Sequence, residues 1–450
     1  MSRNALIYLQ NWLDSANRKP VVVRGARQVG KTYTVRELAK ITGRQLIEIN
    51  FEKHINIASL FSSNDPKKIV ANLEARFSIS IDTNQAILFL DEIQSEPDML
   101  AKLRWFAEDM PQLAVVAAGS LLDFLLDEHQ FSMPVGRITY MYMNPLSFDE
   151  FLVMTDHHPL MDYLKQYSFG DEFPESIHDQ LMDLFREYVL IGGMPAAVYA
   201  WKQERSLMAA QQIHLDLLSS YRDDFSKYAG KMSVSRLDDI LLAVPRLLGR
   251  KFVYSHVNKD VKSSALKQSL DLLVKARVCQ KVQASAANGV PLLSEVNPKN
   301  TKVVFLDVGL LASQLGLALH ELRLQEDINL VNNGAISEQV VGQLLQTIEP
   351  FYVEPSLCYW TRDQRNSNAE LDYVIQHGNQ VVPVEVKSGK SGTLKSLHLF
   401  MAEKKLPLAV RVNSDLPSQV RVTNGSSAYI LGSLPFYMMG QLHRLLKELQ

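Results

Sequence analysis

Along the first 155 positions, short continuous apolar runs alternate with longer stretches in which apolar residues recur every three or four positions. The runs predict strands at residues 20–24, 45–51, 86–90 and 114–118, and the stretches predict helices at 32–41, 69–79 and 97–109. Strands that are apolar on both faces and alternate with helices make a parallel sheet covered on both sides. From about residue 156 to 228 the pattern becomes helical, clearest at 177–190 and 206–221, with a turn at Gly192-Gly193-Met194-Pro195.

Further along, helical spacing returns at 237–240, 241–248 and 263–277, followed by a strand at 278–282 and the turn Asn288-Gly289. Three helices closed by a hairpin have the outline of a winged helix. A helix at 335–347 then leads into strands at Tyr359-Trp360, 370–376 and 380–386, with a helix at 393–404. No internal repeat or low-complexity segment interrupts this order. The expected fold class is therefore α/β, with boundaries at 1–155, 156–230, 231–325 and 326–450.

Composition narrows the setting. With 46% hydrophobic and 21% charged residues, the chain is neither disordered nor a fibre nor a coiled-coil rod. No run approaches the roughly 18 apolar residues of a membrane span, and the N-terminus shows no signal-peptide core. Only two cysteines occur, Cys279 and Cys358, so a cysteine zinc site is not expected and a cytoplasmic location is. The net charge is −2, but residues 230–302 hold 13 Lys and Arg against 5 Asp and Glu, a balance of +8. That excess points to a polyanionic partner or to a solvated face. Lys259, Lys262, Lys267, Lys275 and Arg277 lie where a winged helix would meet double-stranded DNA.

The strongest motif is Gly25-Ala26-Arg27-Gln28-Val29-Gly30-Lys31-Thr32, which fits G-x4-G-K-S/T at a strand–helix junction. Its glycines let backbone N–H groups turn toward phosphate oxygens, and the helix N-terminus adds a positive dipole. Lys31 is placed for the β- and γ-phosphates of ATP, and the Thr32 hydroxyl for Mg²⁺. The apolar strand 87–90 ends in Asp91-Glu92. Asp91 is expected beside the metal and Glu92 as the base that polarises a water, a pairing that favours hydrolysis over a kinase. Ser120, after the next strand, is a candidate γ-phosphate sensor. Arg137 is a candidate arginine finger, acting in its own chain or on a neighbouring copy, so a homo-oligomer is among the expected partners.

The segments GARQVGKT, ILFLDEIQ, AAGSLLDFLL, VGRITYMYMNPLSFDEF and IGGMPAAV resemble a prokaryotic family of uncharacterised AAA+ ATPases. The resemblance implies a P-loop AAA+ core, a helical lid, and a C-terminal restriction-endonuclease-like domain of unknown function. The Gly136-Arg137 and Gly192-Gly193 landmarks carry no role that spacing alone supplies.

A second constellation lies near the C-terminus: Glu370-Leu371-Asp372, then Glu385-Val386-Lys387 on the partner strand of a hairpin turning at Gly378-Asn379. Residues two apart on a strand share a face, so Glu385 and Lys387 point the same way. Asp372 and Glu385, with Glu338 on the preceding helix, are the candidate Mg²⁺ ligands, and Lys387 the group that helps to activate a water. Glu370 is expected to face away. The wording resembles the PD-(D/E)xK nuclease core of archaeal Holliday junction resolvases and restriction-type nucleases, which implies double-stranded or branched DNA as partner. Together these features describe an ATP-hydrolysing switch coupled to a DNA-binding or DNA-cleaving domain. The alternative is an ATP-regulated interaction module whose nuclease-like domain is silent.

Overall fold

The computed structural model describes residues 3–54, 56–120, 134, 136–228, 233–316, 334–362, 369–388, 393–424 and 427–449. The chain divides into two compact units. One comprises Met1–Asn144 with Lys275–Arg277 and Pro350–Glu354; the other comprises Pro145–Val274, Val278–Glu349 and Pro355–Gln450.

The first unit contains α1 (Asn4–Asp14), β1 (Val21–Arg24), α2 (Lys31–Thr42), β2 (Gln45–Asn50), α3 (Pro66–Phe77), β3 (Ala86–Asp91), α4 (Asp98–Asp109), β4 (Ala114–Ala118) and β5 (Thr139–Tyr142). The sheet order is β2-β3-β4-β1-β5 and every pairing is parallel. β3 and β4 are buried along their whole length, as strands covered on both faces must be. Helix starts follow local chemistry: Asp65 caps α3 by accepting from the Lys67 N–H, with Pro66 in the first turn. The four expected strands and three expected helices are present. The fifth strand, β5, escaped the pattern because it is only four residues long and half of it is incompletely buried.

The second unit opens with helices α5 (Phe148–Met154), α6 (His158–Gln166), α7 (Glu175–Ile191), α8 (Pro195–Glu204), α9 (Leu207–Tyr228), α10 (Val234–Ala243) and α11 (Ser263–Lys275). It continues with β6 (Cys279–Ser285), β7 (Val296–Phe305), α12 (Val308–Gln314), α13 (Ala335–Leu345), β8 (Leu357–Thr361), β9 (Glu370–His377) and β10 (Gln380–Val386). It closes with α14 (Lys395–Lys404), β11 (Leu408–Asn413), β12 (Ser418–Asn424), β13 (Ser427–Pro435) and α15 (Leu442–Glu448). One mixed eight-stranded sheet runs β12-β13-β11-β10-β9-β8-β6-β7.

That sheet corrects the expected domain plan. The hairpin β6–β7 was expected to be the wing of a separate domain ending at residue 325. Instead β6 pairs in parallel with β8, Val282 opposite Leu357, so the hairpin edges the same sheet as the C-terminal strands. The apolar half of β7, Val303, Val304 and Phe305, is buried, and a two-stranded wing would leave that surface wet. The first unit also ends earlier than residue 155, because the Leu146 N–H donates to the Gly193 carbonyl at 2.7 Å and α5 lies in the second unit.

The same region explains landmarks that spacing left without a role. Ser147 and Glu150 form a reciprocal capping box at the start of α5. Asp307 is fully buried; it caps α12 through the Gly309 and Leu310 N–H groups and accepts from Gly193 N–H at 2.6 Å. A Cβ on Gly192 would stand 2.0 Å from the Asp307 carboxylate, and one on Gly193 would stand 2.2 Å from the Leu146 carbonyl oxygen. The Tyr188 hydroxyl donates to that same Leu146 oxygen at 2.7 Å, and Gln343 donates to both Tyr188 and Asp307. The double glycine is therefore a close-packing device that ties three helices to one buried carboxylate.

Candidate functional site

Because β1, β3 and β4 are parallel, their carboxyl ends lie on one edge, and the segments leaving those ends meet there. After β1 the chain makes the glycine-lysine loop. Gly30 takes a left-handed φ of 98° and begins α2. A Cβ on Gly25 would stand 2.4 Å from the Met143 carbonyl oxygen, so that position has no room for a side chain. Arg3, 2% exposed, braces the loop from behind, donating to the Val29 carbonyl at 3.1 Å and the Asn144 carbonyl at 2.8 Å.

Lys31 is buried, and its ammonium donates to the Gly25 and Ala26 carbonyls at 2.9 and 2.8 Å. Burial pushes its pKa down to about 8, against the opposing pull of Glu92 and Asp91. The Thr32 hydroxyl lies 3.2 and 3.3 Å from the two Asp91 carboxylate oxygens. Burial, then the neighbouring Glu92, raise Asp91 to about 6. Asn50, the register partner of Asp91, donates to it at 3.3 Å. Glu92 sits at a left-handed φ of 52° and accepts from Gln94 at 2.5 Å. Ser120 is buried just past the end of β4, on the same edge.

An oxygen-only donor set of hydroxyl and carboxylate, next to a buried ammonium and a turn of backbone N–H groups, fits a triphosphate with a hard divalent cation. Ala26, Arg27, Gln28 and Val29 lie inside that turn. Asn50, Gln94 and Arg3 were not foreseen. Gln94 had a faint signal, a polar side chain two residues after Glu92; Asn50 and Arg3 had none, because only register and tertiary packing bring them in.

At the C-terminal constellation the structure departs from expectation. Asp372 and Glu385 do meet: Asp372 accepts from the Val386 N–H at 2.7 Å, and Glu385 pairs with Lys387 at 2.6 Å. Glu338 joins them, but through a residue that was not foreseen. Lys302, from β7, is 4% exposed on its side chain and lies 2.6 Å from Glu370 and 3.3 Å from Glu338. Glu370 therefore does not face away; it is two residues from Asp372 on one strand and shares its face. Burial alone would lower the Lys302 pKa, but Glu338, Glu370 and Asp372 overcome it and hold the ammonium charged. Burial and then Asp372 raise both Glu338 and Glu385. One Glu385 oxygen, buried, has no hydrogen-bond partner.

Among the described residues no group of three or more His, Cys, Asp or Glu side chains stands ready to hold a metal ion. The expected Mg²⁺ ligand set of Asp372, Glu385 and Glu338 is thus not assembled as one. A lysine ammonium stands on Glu338 instead, and the residues present do not fit the ion.

Comparison with known proteins separates the two regions. A family described as an AAA domain matches residues 17–152, the segment that carries the loop, Asp91, Glu92 and Ser120. Residues 17–152 form a P-loop AAA+ ATPase domain. Two families described as domains of unknown function, DUF8612 and DUF4143, match residues 182–321 and 333–433. No curated protein matches. Among solved structures, the Aeropyrum pernix ORC2 protein in ADPNP–ADP complexes is 13% identical, over 71% of this chain and 92% of that one, at a TM-score of 0.36. The Thermotoga maritima RuvB Holliday junction branch migration motor is 12% identical over 68% and 92%, at 0.31. C. elegans PCH-2 is 10% identical over 48% and 67%, at 0.28. At those scores no residue role transfers.

Within the AAA+ domain, Arg137 is not brought to the loop. Thr139 pairs with Val21 at the amino edge of the sheet, and Arg137 precedes it by two residues. The guanidinium there holds Glu108, near the end of α4, at 2.7 Å. At ~3.3 Å per strand residue, β1 alone separates Arg137 from the loop by roughly 10 Å. Arg137 is therefore not a finger for its own chain's site. No helix among the described residues is long and apolar enough to cross a membrane.

Proposed function

We propose that the protein is an ATP-hydrolysing switch whose AAA+ domain governs a C-terminal binding module. The observation that carries it is the meeting of Lys31, Thr32 and Asp91 at one sheet edge, with Glu92 held by Gln94 beside them. Lys31 would leave the loop carbonyls for the phosphates, and Thr32 and Asp91 would hold Mg²⁺. The ion supplies charge neutralisation on the phosphate oxygens. Glu92 orients and deprotonates the attacking water, and Ser120 reads the γ-phosphate. Arg137, at the far edge, would serve a neighbouring copy in a homo-oligomer. The two free cysteines, both buried, suit a reducing cytoplasm.

The test is nucleotide binding and steady-state hydrolysis side by side. Lys31→Ala should lose both. Glu92→Gln should keep nucleotide and lose roughly 10²-fold or more in rate. A Lys31→Ala protein hydrolysing ATP at the native rate overturns the assignment.

For the C-terminal domain we favour binding over cleavage, because Lys302 stands on Glu338 where a cleaving site needs a metal. Double-stranded or branched DNA is the proposed partner. Its support is the exposed Lys259, Lys262 and Lys267; Lys281, Arg277 and Lys302 are paired with Asp271, Glu354 and Glu370. Retention of labelled duplex should fall steeply with salt and weaken in Lys262→Glu/Lys267→Glu. Plasmid nicking by the native protein with Mg²⁺ or Mn²⁺, lost in Asp372→Ala, would instead establish a nuclease.

A further inference from the structure

Lys302 belongs to the region matched by one family of unknown function, while Glu338 and Glu370 belong to the region matched by the other. The Lys302 ammonium is buried and meets Glu370, whose side chain is 37% exposed, at 2.6 Å and the half-buried Glu338 at 3.3 Å; it also lies 5.1 Å from the centre of the Tyr359 ring. Burying a lysine costs several kcal/mol unless it is paired, so an ammonium that deep is there because the carboxylates hold it. Glu338 is fixed on its side as well: the Tyr373 hydroxyl donates to its backbone carbonyl at 2.7 Å. The sequence around Lys302 is apolar from Val303 to Leu306, and a valine or leucine at 302 would continue the strand without any charge to compensate.

We propose that Lys302 is the resident cation of the C-terminal carboxylate cluster, a tethered ammonium in the place of a divalent ion, so that the cluster takes up metal only when that ammonium is removed. The proposal deepens the reading of this domain as a binding module, and it makes the hairpin β6–β7 part of the cluster.

The experiment is Mn²⁺ titration of the nucleotide-free full chain, followed by electron paramagnetic resonance. Four proteins are compared: native, Asp372→Asn, Lys302→Met/Glu370→Gln, and that double variant with Asp372→Asn added. Replacing Glu370 together with Lys302 keeps the cluster's net charge unchanged, which guards against unfolding; circular dichroism and nucleotide binding check the fold independently. The native protein and Asp372→Asn should bind Mn²⁺ alike. The double variant should gain one site at least tenfold tighter than any native one, lost again when Asp372 is replaced. Two results overturn the proposal: native Mn²⁺ binding that falls with Asp372→Asn, or a folded double variant that gains no site. Should the double variant not fold, the native and Asp372→Asn pair decides alone. Mn²⁺ uptake by the native cluster without nicking would sink the resident-cation idea and leave the binding module standing; nicking would remove both.

Discussion

The backbone N–H of Gly193 donates to the buried Asp307 carboxylate at 2.6 Å, although 114 residues separate them. Asp307 also accepts from Gly309, Leu310 and Gln343. Asp307→Ala would strand these donors away from water, at a cost of about 3–5 kcal/mol. Gly192→Ala would place a Cβ against the carboxylate at a φ of 73°, costing about 3 kcal/mol or more. The two changes share one point in space. Denaturant unfolding of both variants and of the double should give a loss about 1–3 kcal/mol smaller than the sum. Strict additivity would mean that the glycine is not there for the carboxylate.

His214, next to this knot, is fully buried, with one ring nitrogen 2.8 Å from the Ile191 carbonyl and the other 2.8 Å from the Ser313 hydroxyl. Burial pushes its pKa down to about 4 from 6.5, with the Ile191 contact opposing. The unfolded chain therefore takes up a proton below pH 6.5 that the folded chain refuses until about 4. The stability at stake is full above pH 6.5 and is lost as pH falls toward 4, about 3 kcal/mol at most. His214→Gln should be less stable at pH 7 yet show a shallower decline between pH 6.5 and 4. Parallel declines in the two proteins would assign the acid sensitivity elsewhere.

How far the chain could be read ahead of its structure depended on the range of the interactions. The strand–loop–helix from Val21 to Thr42 and the buried strand ending at Asp91 are local statements, made by runs of apolar residues and one glycine-lysine turn. Strand pairing is not local. Nothing near Lys302 says that β7 edges the same sheet as β9, so the lysine's carboxylate partners stayed hidden and the hairpin read as a wing. A lone lysine abutting the run from Val303 to Leu306 was the only hint. Arg137 was legible only in part: its neighbourhood left open whether it serves its own site or a neighbour's, and only the sheet direction puts it at the amino edge.

Lys31 gives the nucleotide site a pH signature. Its pKa of about 8 in the free protein should rise once a triphosphate replaces the loop carbonyls as its partner. ATP binding then takes up a proton at and above pH 8, and affinity falls by up to tenfold per pH unit beyond it. Calorimetry at pH 8.5 in two buffers of different ionisation enthalpy should show the uptake directly. Lys31→Arg, which cannot lose its proton in this range, should bind more weakly but show neither the uptake nor the alkaline decline. Binding by the native protein that is flat from pH 7 to 9.5 would place the Lys31 ammonium away from the phosphates.

Arg137 supplies the remaining prediction. It stands at the amino edge beside Glu108, so Arg137→Ala should leave nucleotide affinity within about twofold, since the loop keeps its contacts. If the arginine serves a neighbouring copy, hydrolysis should still fall, by roughly 10³-fold for a finger that stabilises charge in the transition state. Lys31→Ala would be inactive for a different reason, an empty site with an intact Arg137. Mixing the two inactive proteins then places a working arginine next to a working site in some assemblies. Activity should return to a fraction of the native rate and rise with total protein concentration. Mixtures that stay silent, in proteins shown by sedimentation to co-assemble, would reduce Arg137 to a surface partner of Glu108.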